Sequence, residues 1–265
     1  MPLRRTDREM REYRADLHLH TILSACAEVE MIPPLIVEEA LSKGLDLIAI
    51  TDHNTIGNAA AVMEAAQGTG LIVLPGMELQ AREEVDILCI FDTIEAARTW
   101  QARVDWWLPP FKNDAERFGP QFIVDAQGEF IAEEERMLQA PALVGLEEAA
   151  RTVRRLGGLA IPAHIDRPSH GLMAVLGLWP PDLEADAAEV SPNMRPSQAR
   201  RSAVGIWSRR SIKPGLVSSA SMLYRPRNAV SWLRKALRIG SSRASPLTEK
   251  SADCQPCGWG KSSGM

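Results

Sequence analysis

The sequence predicts an α/β fold built around a parallel sheet or barrel, and three features predict it. Short continuous apolar runs, such as LDLIAIT at 45–51, have the composition of strands buried on both faces. Helix-length segments closed by glycine separate these runs, the alternation that parallel sheets and barrels show. Four of the five histidines, joined by several acids, stand at the ends of the runs, where folds of this class gather their chemistry.

A chain of 265 residues suffices for one barrel-sized domain, or for a domain with a tail. With 45% hydrophobic and 24% charged residues it lies in the ordinary globular range. No apolar stretch is long enough to span a membrane, and residues 1–14 are charged rather than signal-like. Cys26, Cys89, Cys254 and Cys257 form no disulfide framework, so a reducing, cytoplasmic setting is expected. Charge is uneven along the chain. Residues 1–194 carry 16 Lys and Arg against 32 Asp and Glu, net −16, whereas residues 195–265 carry 14 against 2, net +12. The split predicts a domain over 1–194 and a basic, Ser/Arg-rich tail over 195–265, either partly disordered or read from a shifted frame.

Residues 13–20 form the first predicted strand. Pro33-Pro34 open a helix running through Leu41, with Lys43-Gly44 at its close. A strand at 45–51, a helix at 59–66 closed by Gly68 and Gly70, and strands at 71–74 and 85–91 follow. Thr93 is placed to cap a long helix ending at Trp107. Residues 108–140 break the rhythm with Pro109-Pro110, Gly119-Pro120 and a predicted hairpin over 121–131 that turns at Ala126-Gln127-Gly128. This reads as an insertion over one end of the domain. A helix from Gly145 to Leu156, a strand at 159–165 and another at 187–190 restore the pattern. Beyond Arg195 strand periodicity is lost; residues 229–239 keep a helical pattern, and 241–265 have a disordered composition. Cys254 and Cys257 lack the second pair that a structural zinc site needs and read as incidental.

On a strand, alternation sends His18 and His20 to one face and Leu17 and Leu19 to the other, so the two imidazoles can share one ion. His53 and His164 end two further runs, with Asp52, Glu78 and Asp86 at matching ends. A single strand-end histidine is usually structural. Four together, two in His-x-His spacing, point to a metal site. Imidazole nitrogen and carboxylate oxygen suit zinc, manganese and iron, and a glutamate can bridge two ions. Glu78, after Pro75-Gly76, reads as a ligand or a turn residue. Asp52 either binds metal or orients His53, and Asp86 on a buried strand needs a partner. His170 reads as solvated, while Arg82 and Arg167 meet a phosphate or are plain surface charge. Two or three ions would bring a bridging water's pKa near neutrality and clamp phosphate oxygens.

Four stretches, DLHLHT, GLDLIAITDHN, LPGMEL and IPAHID, come in this order within about residues 13–190. They resemble the PHP (polymerase and histidinol phosphatase) domain, above all its stand-alone bacterial metal-dependent phosphoesterases. The resemblance implies a distorted (β/α)7 barrel with an insertion near 108–140 and an irregular C-terminal tail. It implies His18, His20, His53, Glu78 and His164 as metal ligands, with Asp86 in place of a family histidine. Two or three divalent ions (Mn2+, Zn2+ or Fe2+) are implied as cofactors, and catalytic roles for Asp52, His53 and Glu78. The implied reaction is hydrolysis of a small phosphorylated substrate, a nucleotide or oligonucleotide, by a metal-bridging hydroxide. Two further positions depart from the pattern. Ala25 stands where many members carry an acid, and Val217-Ser218-Ser219-Ala220-Ser221 is the nearest counterpart of a closing Asp-x-His. These departures motivate a rival reading, a metal-binding but catalytically impaired regulatory or partner-binding module. The basic tail motivates another, a nucleic-acid binder with salt-dependent affinity.

Overall fold

Strand–helix alternation organises the computed structural model, which describes residues 13–191 and the backbone of two short strands at 215–217 and 222–224. The elements are β1 (Ala15–Leu19), α1 (Pro33–Ser42), β2 (Leu47–Ile50), α2 (Ala59–Ala65), β3 (Ile72–Gln80) and β4 (Asp86–Ile90). There follow α3 (Ile94–Trp107), α4 (Ala115–Phe118), β5 (Phe122–Val124), β6 (Phe130–Glu133), α5 (Leu146–Arg155), β7 (Leu159–Pro162), α6 (Leu172–Leu176) and β8 (Ala187–Glu189). Two further described strands are β9 (Gly215–Val217) and β10 (Met222–Tyr224).

Five strands form one sheet in the order β1-β2-β3-β4-β7. The first three are parallel, but β4 runs antiparallel to β3, and β7 antiparallel to β4. The expected all-parallel sheet is therefore a mixed one. The cause is the connection. Between β3 and β4 lies a tight turn closed by Ala81 N–H to Val85 O at 2.9 Å, too short for the crossover that a parallel pair needs. Reversal puts Asp86, the first residue of β4, at the same edge as the C-terminal ends of the other strands.

The sheet curls. Strand β8 lies beside β7, with Asp186 N–H to Ala160 O and Ile165 N–H to Glu189 O, both at 2.9 Å. An inner cluster draws Leu17, Leu47, Leu74, Leu88, Ile161 and Ala187 from β1, β2, β3, β4, β7 and β8, so one face of the sheet wraps around its own core. The other face packs beneath the helices through residues such as Met77, Phe91, Trp100 and Val153. The result is a mixed α/β half-barrel.

Strand β3 is longer than expected and runs straight through Pro75-Gly76. Its pairing with β2 ends at Pro75, opposite Ile50, and its pairing with β4 begins at Gly76, opposite Ile90. A β-carbon on Gly76 would meet the carbonyl oxygens of Ile50 and Cys89, each at 3.1 Å, so only glycine lets both neighbours close in. The strand consequently carries Glu78 into the sheet rather than into a turn.

Helix signals behave as expected. Pro33 starts α1, and the Thr93 hydroxyl accepts from Ala96 N–H to cap α3. Helix α5 places Glu147 and Glu148 in its first turn and Arg154 and Arg155 in its last, matching its dipole. The insertion contains the expected hairpin of β5 and β6. Its turn is set by Gly128 at φ +84° and by the Asp125 carboxylate, which accepts from Gln127 and Glu129 N–H at 2.9 Å.

Beyond the point where sequence periodicity fades, β10 pairs antiparallel with both β8 and β9, so Met222 stands opposite Glu189. Val217 ends β9, while Ser218 to Ser221, the helical pattern at 229–239 and the Cys254/Cys257 pair lie outside the described residues. Among the described residues no helix is long and apolar enough to cross a membrane.

Candidate metal centre

All six sequence-predicted ligands converge at one edge of the sheet. Glu78 lies at the focus, almost wholly buried. Its Oε2 is 3.1 Å from both His18 Nε2 and His20 Nε2 and 3.4 Å from His53 Nδ1. Its Oε1 faces His164 Nε2 at 3.0 Å, and Asp86 Oδ2 lies 3.6 Å from the same nitrogen. Side-chain exposure falls from 20% at His53 and 17% at His20 to 6% at His164, so the site has an outer and an inner end.

Strict alternation does not explain the histidine pair. Residues Asp16 and Leu19 of β1 pair with Ile48 and Ile50 of β2, an irregularity that inserts one extra residue into β1. Leu17 then packs into the inner cluster and Leu19 against the outer one, not on a common face. The bulge aims both imidazoles at the mouth, their Nε2 atoms 3.1 Å apart. His53 arrives by a different device: an isolated parallel bridge extends β2 beyond its end and pairs His53 with Glu78. His164 takes φ +25°, a strained backbone for a non-glycine residue, two residues past the end of β7.

Hydrogen-bond partners assign the tautomers. His18 Nδ1 lies 2.9 Å from Glu189 Oε2, a carboxylate acceptor, so in the neutral ring Nδ1 carries the proton and Nε2 a lone pair. His20 Nδ1 lies 3.1 Å from Ser24 Oγ, whose own hydroxyl donates to Asp52 Oδ1 at 2.7 Å. Nδ1 of His20 is therefore the donor, and its Nε2 also presents a lone pair. Two nitrogen lone pairs and a carboxylate oxygen thus meet within hydrogen-bond distance, an arrangement that repels itself unless a cation or a proton stands among them. His164 Nδ1, by contrast, is buried with no hydrogen-bond partner among the described residues. The donor set fits divalent ions of the zinc, iron or manganese type. Among the described residues three groups place ligand atoms within 4.8 Å of one another: His18, His20 and Glu78; Glu78, Asp86 and His164; and His20, Cys26 and His53.

Electrostatics follow from burial and pairing. Burial opposes charge on His18, but the Glu78 and Glu189 carboxylates hold its protonation well above the usual histidine range. Burial likewise opposes ionisation of Glu78, yet the His18 charge and the close approach of the His164, His18 and His20 rings hold it well below the carboxylate range. Loss of water pushes His53 down to about 4. Desolvation, then repulsion from Glu78, lifts Asp86 to about 6.

Asp52 sits outside the ring of ligand atoms. Its Oδ1 accepts from Thr21 N–H and Ser24 Oγ, both at 2.7 Å, and its Oδ2 from Thr21 Oγ1 at 2.8 Å. Ser24 then joins His20 Nδ1 and His53 N–H, so Asp52 is linked to two candidate ligands through an intermediary. His170 has an exposed side chain, yet its Nδ1 accepts from Gln80 Nε2 at 2.8 Å, and the same amide reaches Asp86 Oδ1 at 3.2 Å. Arg82 is an exposed partner of Glu83 at 3.5 Å, and Arg167 lies exposed just past His164. Sequence reasoning overlooked Glu189, Ser24 and Cys26. Glu189 ends a strand, the same signal that singled out Glu78, and Cys26 adjoins the position where an acid was sought.

Two asparagines fasten the insertion to this edge. Asn54 donates to Leu138 O at 2.7 Å and Ala140 O at 2.9 Å and accepts from Gln80 N–H at 3.1 Å. Asn58 donates to Phe122 O and accepts from Val124 N–H, each at 3.0 Å.

Comparison with known proteins agrees with this architecture. A protein of Methanocaldococcus jannaschii, itself uncharacterized, is 32% identical over 78 residues, which span 26% of this chain and 46% of that relative. Endonuclease Q from Pyrococcus furiosus, a lesion-specific endonuclease, matches with a TM-score of 0.53 at 18% identity, covering 74% of this chain and 45% of that one. A protein from Bifidobacterium adolescentis described as a metal-dependent phosphoesterase matches at 0.50 and 22% identity, over 75% and 84% of the two chains. These are likenesses of fold. The profile of the PHP domain matches residues 16–160, more than half of the sequence, and the chain belongs to the PHP domain family.

Proposed function

We propose that this protein hydrolyses a phosphate ester of a nucleotide or nucleic acid, with His18, His20, His53, Glu78, Asp86 and His164 holding two or three divalent ions. The convergence of four imidazoles on the two oxygens of Glu78 carries the reading. When bound, such ions activate a water and neutralise charge on the phosphate. Glu78 offers one oxygen to each end of the site. Asp52, through Ser24, keeps the His20 Nε2 lone pair available. His53, the most exposed ligand, lines the approach, and Arg167 offers a cation to the incoming phosphate.

The choice of substrate class draws support from fold similarity to endonuclease Q, which has been captured in complex with a duplex carrying an abasic lesion (TM-score 0.55, 20% identity, 78% of this chain and 48% of that one). We further read the half-barrel as part of a distorted seven-stranded barrel with its catalytic domain in residues 1–194. Free thiols at Cys26 and Cys89 are in keeping with a reducing cytoplasmic setting.

The test is turnover of p-nitrophenyl phosphate and of a nucleoside 3′,5′-bisphosphate with added Mn2+. Hydrolysis lost in His18→Ala and Glu78→Ala is the expected result. Ions bound without turnover of either substrate would overturn it and leave a metal-binding module.

A further inference from the structure

We propose that Cys26 is a thiolate ligand of the outermost ion, held together with His20 and His53. The inference rests on the reading of this mouth as a metal centre. Cys26 Sγ lies 3.5 Å from His53 Nε2, and the ligand atoms of His20, Cys26 and His53 fall within 4.8 Å of one another. The His53 ring therefore faces Glu78 with Nδ1 and the sulfur with Nε2.

The loop that presents the sulfur is fixed on both sides. Ser24 N–H bonds Thr21 O at 3.0 Å and Ala27 N–H bonds Ser24 O at 2.9 Å. Thr21 and Ser24 are both tied to Asp52, and Leu23 is fully buried. The sulfur is thus held at the site rather than swept across it, which limits the ordering that ligation requires. Its neighbour Ala25 has no ligand atom, so on this loop the sulfur is the group that can complete the outer set.

On binding, the sulfur–metal bond forms as the thiol proton passes to solvent. The centre is then graded. Its outer end offers sulfur and two imidazoles, a set that favours zinc or ferrous iron over manganese, while Glu78, Asp86 and His164 offer a harder inner end.

Cobalt(II) titration of the full chain tests this. Visible ligand-field bands report ion binding at any position, and a near-ultraviolet sulfur-to-cobalt charge-transfer band reports a thiolate ligand. The expected result is both bands in the wild type and in Cys254→Ser/Cys257→Ser. Cys26→Ser should abolish the charge-transfer band while ligand-field absorbance from the inner end persists. Cys26→Asp should keep the bound-ion count of the wild type without that band. Circular dichroism confirms that each variant folds. Cobalt binding with no charge-transfer band, or with a band that survives Cys26→Ser, overturns the cysteine assignment alone. Failure to bind cobalt at all overturns the metal centre and the cysteine assignment with it.

Discussion

His18 Nδ1 lies 2.9 Å from Glu189 Oε2, joining the first strand of the sheet to β8 across the mouth. The same carboxylate oxygen accepts from His164 N–H at 3.0 Å, so one buried acid orients two candidate ligands. Burial opposes its charge, but His18 and the His164 amide hold it below the usual carboxylate range. Glu189→Gln preserves shape but removes the charge that holds the His18 tautomer. We predict a loss of about 10–100-fold in metal affinity. Calorimetric titration with Zn2+ measures it, and an affinity equal to wild type would contradict this role.

Metal affinity should rise with pH. His18 in the metal-free site is held well above its ordinary value, chiefly by Glu78 and Glu189 acting against burial. A protonated His18 has no lone pair at Nε2, so an incoming ion must displace a proton. The sign is therefore an affinity that strengthens as pH rises toward the raised His18 value. His53, pushed down to about 4, is already neutral near pH 7 and adds no such competition. Titrations in buffers of different ionisation enthalpy count the protons released, and zero release would refute the prediction.

Ions should stabilise the fold, because the ligands come from strands distant in sequence. One ion at a hundred times its Kd contributes about 2.7 kcal/mol, or roughly 5–10 °C in Tm for a domain of this size. Differential scanning fluorimetry with and without Zn2+, followed by chelator, should show the rise and its reversal.

Asn54→Ala should unfasten the insertion. The residue is fully buried at φ +52°, and its side chain satisfies Leu138 O, Ala140 O and Gln80 N–H. Leaving these groups unpaired costs roughly 2–5 kcal/mol, read as a lower urea midpoint. Limited proteolysis within 108–140 should become faster.

Gly76→Ala is expected to cost about 1–3 kcal/mol, since its new methyl would press on the backbones of β2 and β4 at once. The urea midpoint again provides the measurement, and a change within error would show that the strands can part.

Much of this site is visible in local pattern. Apolar runs ending in His53 and His164, the His18/His20 pair and Glu78 after Pro75-Gly76 can be read from spacing because strand length and side-chain period are local properties. The Asp125 to Gly128 turn is legible for the same reason. Other features depend on what the chain meets elsewhere. The direction of β4, and hence the place of Asp86, follows from a short turn and its pairing. The bulge in β1 depends on register with β2, which overrides simple alternation. Glu189 stands 171 residues from His18, and no local pattern announces that contact. Asp52 binds Thr21 and Ser24 across about thirty residues, which places it behind the candidate ligands rather than among them. The sequence alone determined which residue types stand at strand ends. Only tertiary structure decided which strand ends meet, because register, strand direction and curl arise from long-range pairing rather than from neighbouring residues.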